Sequence, residues 1–157
     1  MEKAKKKDQM LDVALAWRHV AKRKGNKVAF TNGCFDLFHA GHLYLLEQAK
    51  DLADLLIVGI NSDESVRRLK GEGRPIIPCE QREAIIFCLG CVDLTVVFDD
   101  DTPENLIYQL RPDYLVKGKD WEGKEIAGGG TWAGKVVFVD LLPNVSTTAI
   151  IERIRNG

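Results

Sequence analysis

The sequence has no long apolar run and no marked excess of charge of either sign. Its longer apolar runs, such as residues 55–60, are far shorter than the roughly 18 residues that a membrane-spanning helix needs. The first seven residues (MEKAKKK) lack the apolar segment of a secretory signal peptide. With 22 basic and 23 acidic residues, the net charge of −1 does not attract the chain to nucleic acid or to an anionic membrane. We therefore expect a cytoplasmic protein that binds neither.

The sequence has four cysteines, at positions 34, 79, 88 and 91. Only Cys88 and Cys91 have the Cys-x-x-Cys spacing of redox and zinc sites. A thioredoxin-type pair lies at a helix N-terminus, whereas this pair ends the apolar segment 84–89, with Gly90 as the expected C-cap. A zinc site would need two further ligands, and no second pair or histidine cluster follows. We therefore expect free thiols in a reducing compartment and no metal ligated by the protein.

A chain of 157 residues with 45% hydrophobic content can form one domain with a substantial core, but hardly two. We predict an N-terminal helical extension over residues 1–26, with an amphipathic helix at residues 10–20 behind a solvated lysine tract. A single domain is predicted over residues 27–157. No internal repeat or low-complexity segment interrupts it.

Apolar strands alternate with amphipathic helices through that domain. The predicted strands are residues 27–31, 55–60, 93–98, 114–117 and 135–139. The predicted helices are residues 42–53, 62–69, 79–89, 103–110 and 147–155. This alternation favours an α/β fold, a Rossmann-like doubly wound parallel sheet of about five strands with helices on both faces.

Polar residues follow each predicted strand, at 32–36, 61–63, 99–101, 117–120 and 140–146. Ligands of parallel sheets bind beyond the carboxyl ends of the strands, so we expect these residues to share one rim. Two loops beside it, 70–75 and 118–134, are either mobile lids or ordinary solvent loops.

Residues 28–42 combine a strand, a polar turn and the start of a helix. Helix N-termini present unpaired N–H groups and the positive end of the helix dipole, which favours bound phosphate. His39 and His42 lie on one face of that helix start, with Gly41 between them, so each can donate to the same anion. Histidines with no nearby carboxylate or third ligand suit phosphate better than metal.

Residues 32–42 (NGCFDLFHAGH) resemble the signature of the cytidylyltransferase-like nucleotidyltransferases, a Gly-x-Phe-Asp run followed by His-x-Gly-His. In such enzymes an oxygen of a second substrate attacks the α-phosphorus of a nucleoside triphosphate, which requires positioning and charge neutralisation. His39 and His42 are therefore predicted catalytic donors to the α- and β-phosphates. The resemblance also implies nucleotide contacts from Asn32, Gly33, Phe35, Asp36 and Gly41.

Cations outside this motif are candidates to neutralise the remaining phosphate charge. Lys70 and Arg74 are predicted to close over the β- and γ-phosphates. Arg82 begins a helix, where a cation opposes the helix dipole, so we predict that it holds an anion, with a local surface ion pair as the alternative. Together with Asp63 it is predicted to bind the second substrate.

Two further stretches resemble family motifs. Residues 117–123 (KGKDWEG) resemble an element that flanks the nucleoside in glycerol-phosphate cytidylyltransferases. Residues 145–151 (VSTTAII) resemble the family's Ser-Thr-Thr motif, whose hydroxyls and free N–H groups would form a second anion cradle while the serine caps the helix. The nucleotide contacts that these resemblances imply are Lys117, Gly118, Asp120, Trp121, Ser146, Thr147 and Thr148.

Over about residues 27–155, the order and spacing of motifs resemble the adenylyltransferase domain of ADP-heptose synthases. These motifs include residues 61–63 (NSD), 80–82 (EQR), 115–118 (LVKG) and 125–128 (EIAG). The resemblance implies transfer of AMP from ATP to D-glycero-β-D-manno-heptose 1-phosphate. It also implies Mg²⁺ carried mostly by the oxygens of the triphosphate and water, and a homodimer.

Three alternatives stay open. Glycerol-phosphate cytidylyltransferases have an arginine shortly before Ser-Thr-Thr, which this chain lacks, but residues 120–123 have the cytidylyltransferase form. An enzyme that uses CTP and glycerol 3-phosphate or another polyol phosphate is therefore one alternative. A non-catalytic nucleotide-binding module, which would need neither histidine of the pair, is a second. A redox module using Cys88 and Cys91 is a third.

Overall fold

The computed structural model describes residues 2–143 and 145–157, with side-chain surroundings from Lys7 onward. The α-helices in these ranges are α1 (Glu2–Lys24), α2 (Ala40–Asp51), α3 (Asp63–Lys70), α4 (Cys79–Phe87), α5 (Glu104–Leu110) and α6 (Thr147–Asn156). The strands are β1 (Val28–Gly33), β2 (Leu55–Asn61), β3 (Leu94–Phe98), β4 (Tyr114–Gly118) and β5 (Lys135–Val139), and a short 3₁₀ helix covers Lys119–Trp121.

The five strands form one parallel sheet in the order β3-β2-β1-β4-β5. The chain builds outward from β1 to β3 and then crosses back to place β4 on the other side of β1. In the register, Val28 of β1 lies opposite Leu55 of β2, and Ala29 lies opposite Tyr114 of β4. The boundary between β1 and β4 is thus the point where the strand order reverses, and ligands of doubly wound sheets bind at such a point.

Alternate residues of the strands point to opposite faces of the sheet, and each face is covered by helices. On one face, buried residues of β1 and β2 pack with α1 and α5, including Ala14, Phe30 and Ile107. On the other face the strands pack with α2 and α4, including Leu46, Val58 and Ile86. Burial on both faces explains why the strands are continuously apolar, and the predicted fold class is confirmed.

The N-terminal helix is longer than the sequence predicted. Helix was expected only at residues 10–20, but α1 begins at Glu2, so the predicted start of the helix is wrong. Lysine, alanine and glutamine favour helix and extend it once a neighbouring part is packed. That packed part includes Ala14 and Ala21 in the core, and Arg18, which forms an ion pair with Asp113 at 3.1 Å. The domain boundary at residue 26 stays a prediction.

Within the described ranges, no helix has both the length and the apolar character that crossing a membrane would require.

Candidate active site

A cavity of about 480 Å³ opens at the carboxyl ends of the strands. Its wall combines residues at or after the carboxyl ends of β1, β2, β3 and β4 with the first turn of α6. The predicted site residues on this wall are Asn32, Gly33, Phe35, Asp36, His42, Lys70, Arg74, Lys117, Trp121, Thr147 and Thr148. Residues that the predicted site omitted also line it, namely Cys34, Asn61, Leu69, Asp101, Thr102, Pro103, Glu125, Ile126 and Ala127. Asn61 and Asp101 belong to the polar stretches expected after β2 and β3.

His39 caps helix α2. Its backbone is extended at φ −145° and ψ 170°, and its Nδ1 accepts a hydrogen bond from the backbone N–H of His42 at 3.3 Å. Because Nδ1 accepts, the proton of the neutral ring lies on Nε2. The two imidazole rings stack with centroids 3.7 Å apart at 14°. His42 lies on the cavity wall. His39 packs against His42 and does not itself line the cavity.

The rings of Phe35 and Phe38 enclose His42 at centroid distances of 5.2 and 5.8 Å. Burial, followed by the neighbouring His39, lowers the pKa of His42 to about 4. Burial also lowers the pKa of His39. Both imidazoles are therefore neutral near pH 7, so each ring carries a single N–H donor and no fixed positive charge.

Residues 39–42, called here the histidine turn, lie directly beside the segment that leads into α6. A Cβ atom on Gly41 would lie 3.6 Å from Cγ1 of Val145, an ordinary contact, but 3.1 Å from the ring of His39, so glycine leaves room for that ring. Ser146 caps α6, because its Oγ accepts from the N–H of Ala149 at 3.1 Å. The two predicted anion cradles therefore face one cavity.

Asp36 anchors the loop after α3. Its buried carboxylate accepts the N–H groups of Ile76 at 2.7 Å and Ile77 at 2.9 Å, and it forms an ion pair with Arg74. Arg74 thus reaches the cavity wall from a loop that Asp36 holds in place. This arrangement gives Asp36 a structural role, and its predicted contact with the nucleotide stays a prediction.

Arg82 does not line the cavity but lies directly behind its wall, and four of its five N–H donors are occupied. Its side chain is fully buried and donates to the carbonyl oxygens of Ile77 at 2.9 Å, Asn61 at 2.8 Å and Cys34. It also pairs with Asp63 at 2.7 Å. These partners compensate the cation at the start of α4, and they leave little capacity for a ligand. The predicted roles of Arg82 and Asp63 in binding the second substrate gain no support from this geometry.

Asp63 instead faces a second cavity, of about 570 Å³, between α1, α3 and α4. Its wall has two cations, Lys7 and Arg67, against six carboxylates, namely Asp8, Asp63, Glu64, Glu80, Glu83 and Asp99. Such a wall repels phosphate, so the cavity at the strand ends remains the candidate active site.

Residues 118–134 form a wall anchored to the core and not a free lid. Ile126 and Trp132 pack against the core beside α5, and the Trp132 ring meets Tyr108 edge-on at 4.9 Å. A Cβ on Gly118 would lie 2.6 Å from Oδ1 of Asp120 and 2.8 Å from Cδ2 of Leu141, so a larger residue there would require these two side chains to shift.

The four thiols are free, and burial raises the pKa of Cys34, Cys79 and Cys91. Helix α4 ends at Phe87, so Cys88 and Cys91 follow its C-terminus and lack the N-terminal dipole that activates redox cysteines. In residues 7–143 and 145–157, no group of three or more His, Cys, Asp or Glu residues is arranged to hold a metal ion.

Comparison with known proteins matches residues 30–153 to the family described as Cytidylyltransferase-like. The bifunctional protein HldE of Campylobacter concisus is 51% identical over 139 residues, which cover 88% of this chain and 29% of that protein. HldE of Acidiphilium cryptum is 47% identical over 148 residues, which cover 92% of this chain and 30% of that protein. The chain therefore spans less than a third of the length of these relatives.

Two solved structures share the fold. The lipopolysaccharide core biosynthesis protein from Thermoplasma volcanium has a TM-score of 0.65 at 24% identity, covering 74% of this chain and 98% of that one. The second is pantoate-beta-alanine ligase from Francisella tularensis, complexed with an ATP ligand and beta-alanine. It has a TM-score of 0.58 at 16% identity, and the match covers 90% of this chain and 75% of that one.

Proposed function

The chain belongs to the cytidylyltransferase-like family, as its motifs predicted, and from this premise we propose that it is a nucleotidyltransferase acting on a sugar phosphate. The proposed reaction transfers AMP from ATP to D-glycero-β-D-manno-heptose 1-phosphate and gives ADP-heptose, a lipopolysaccharide core precursor, and pyrophosphate. The observation that supports it most directly is the single cavity that joins His42 to Thr147 and Thr148. Two anion-binding turns that face each other suit a polyphosphate chain.

The choice of ATP and heptose phosphate rests on sequence likeness. Residues 61–63, 80–82, 115–118 and 125–128 resemble the adenylyltransferase domain of ADP-heptose synthases in order and spacing. About half of the aligned residues are identical to those of the HldE proteins. The proposal also includes a cytoplasmic location and a homodimer.

The proposed mechanism needs no covalent intermediate with the protein. A phosphate oxygen of the acceptor attacks the α-phosphorus, and the bond from that phosphorus to the bridging oxygen breaks, so pyrophosphate takes the electron pair. The neutral ring of His42 donates its N–H to the oxygens on which charge develops, and the hydroxyl and N–H groups of Thr147 and Thr148 donate from the other side. Lys70 and Arg74 on the wall neutralise the leaving pyrophosphate.

Cys34 also lies on this wall, but it is a poor nucleophile. Burial, with a contribution from Asp36, raises the pKa of its thiol, although Lys70, Arg82 and Arg74 oppose this effect. The thiol is therefore protonated near pH 7, and no step requires it.

The donor set fits a magnesium ion that enters with the triphosphate. Asp101 and Glu125 are carboxylates on the cavity wall, but the described residues form no three-ligand cage. Such a site leaves most of the coordination to phosphate oxygens and water, as is usual for Mg²⁺. When bound, the ion would neutralise part of the phosphate charge, and Asp101 and Glu125 would be the residues that hold it.

A pyrophosphate-release assay tests the proposal. The protein is offered ATP or CTP with a panel of sugar and polyol phosphates that includes heptose 1-phosphate and glycerol 3-phosphate. We expect release with ATP and heptose 1-phosphate. Release with CTP and a polyol phosphate would instead favour the alternative indicated by residues 120–123 (DWEG). Binding of nucleotide without release from any pair would contradict an enzymatic function.

A further inference from the structure

Lys117 is a buried cation on the cavity wall. It lies in β4 next to β1, at the point where the strand order reverses, and it is only 7% exposed. Its Nζ donates to Oδ1 of Asn32 and lies 5.2 Å from the centroid of the Trp121 ring. Among the residues that the structure describes, no carboxylate forms an ion pair with it.

A buried ammonium group without an anion is unfavourable, because an amide oxygen and an aromatic ring replace only part of the lost hydration. Burial accordingly lowers the pKa of Lys117 to about 8, and the nearby Asp120 only partly opposes this effect. Lys124 contributes a second positive charge, 5.5 Å from the Trp121 ring. The negative charge of Asp120 therefore compensates Lys117 only in part, and a bound anion would supply the rest.

Lys119 shows the contrast within the same segment. It lies two residues further along, is exposed, and pairs with Asp140 at 2.8 Å. That partner raises its pKa. The charge of Lys119 is compensated by an ion pair within the protein. The charge of Lys117 is not compensated by an ion pair with any carboxylate among the described residues.

We infer that Lys117 binds an anionic phosphate oxygen of the nucleotide, and that Asn32 positions its ammonium group for this contact. His42, Thr147 and Thr148 share the same wall, so the ligand that completes the charge is a polyphosphate. The likeness of residues 117–123 to a nucleoside-flanking element does not indicate this role. The inference rests on the proposed binding of a nucleoside triphosphate in this cavity.

The test measures binding of inorganic tripolyphosphate with magnesium by titration calorimetry at pH 8.5, in buffers of different ionisation enthalpy. The bound anion raises the pKa of Lys117, so the wild-type protein takes up protons on binding. Lys117→Met should bind at least about tenfold more weakly and lose this uptake. Lys119→Met, the matched control, should keep the affinity and proton uptake of the wild type.

Folding is checked on the same variants. Lys117→Met removes an uncompensated buried charge, so its thermal midpoint without ligand should equal or exceed that of the wild type. Asn32→Asp provides a second test, because a carboxylate would pair with Lys117 in advance and should abolish the uptake while weakening binding. Wild-type affinity or unchanged proton uptake in Lys117→Met would overturn the inference.

Neither the calorimetric titration nor the measurement of the thermal midpoint uses an acceptor substrate or depends on turnover. Failure of heptose 1-phosphate as a substrate would therefore leave this result unaffected. Turnover of heptose 1-phosphate together with normal tripolyphosphate binding by Lys117→Met would overturn this inference alone.

Discussion

The Nδ1 atom of His39 accepts a hydrogen bond from the backbone N–H of His42, so one imidazole caps the helix that presents the other. The same bond fixes the neutral tautomer of His39 with its proton on Nε2. Gly41 allows the two rings to stack beside the turn before α6. The motif thus orders two donors before any ligand arrives, which is the preorganisation that electrostatic stabilisation requires.

Replacement of either histidine should reduce turnover while the protein remains folded. In His39→Asn the new side chain can still cap α2, but it lacks the Nε2–H donor, and His42→Asn removes the donor on the wall. We expect the rate constant for pyrophosphate release to fall at least about a hundredfold in each variant. Denaturant unfolding serves as the control for the fold. Near-normal turnover in either variant would contradict the role of that residue.

The folded protein should lose stability as the pH falls from 6.5 to 4. The pKa of His42 is about 4 in the folded protein against an ordinary value of 6.5, so the unfolded chain binds more protons in this window. The wild type should therefore lose roughly 3 kcal/mol more than His42→Gln between pH 7 and pH 4. The measurement compares their free energies of unfolding across this range. Parallel pH profiles would show that His42 is not buried in its neutral form.

Removal of Arg82 should destabilise the fold. Arg82→Met leaves the carbonyl oxygens of Cys34 and Asn61 and the carboxylate of Asp63 without their donor, so we expect a loss of about 3 kcal/mol in the free energy of unfolding. Arg68→Met is the matched control. Its exposed pair with Asp101 predicts a loss below about 1 kcal/mol. Wild-type stability of Arg82→Met combined with weaker acceptor binding would restore the role predicted from the sequence.

Arg82 also shows where inference from sequence ends. Its position at a helix N-terminus was evident, but the carbonyl oxygens that occupy it come from residues 21 and 48 positions away along the chain. Local rules on helix ends do not include such partners. The burial of Lys117 could not be predicted from the sequence either, because it depends on how residues 118–134 fold back over the end of β4.

The strands and helices could be predicted from the sequence because the residue patterns that indicate them are local. The apolar run of β5 was predicted with the bounds that the structure shows, and the other strands differ by at most two residues at an end. The adjacency of His42 and Thr147 follows from a general rule, since both follow strands of one parallel sheet. Helix α1 was predicted too short because apolar periodicity is absent from its lysine tract.

The central claim is that one cavity holds a triphosphate between the histidine turn and the Ser-Thr-Thr turn. Backbone amide hydrogen exchange, measured with and without a non-hydrolysable ATP analogue and magnesium, tests it most directly. We predict that the analogue protects the amides of residues 41–43 and of residues 147–149 together, at the same ligand concentration. Protection of only one turn, or of neither while the analogue is bound, would contradict the claim.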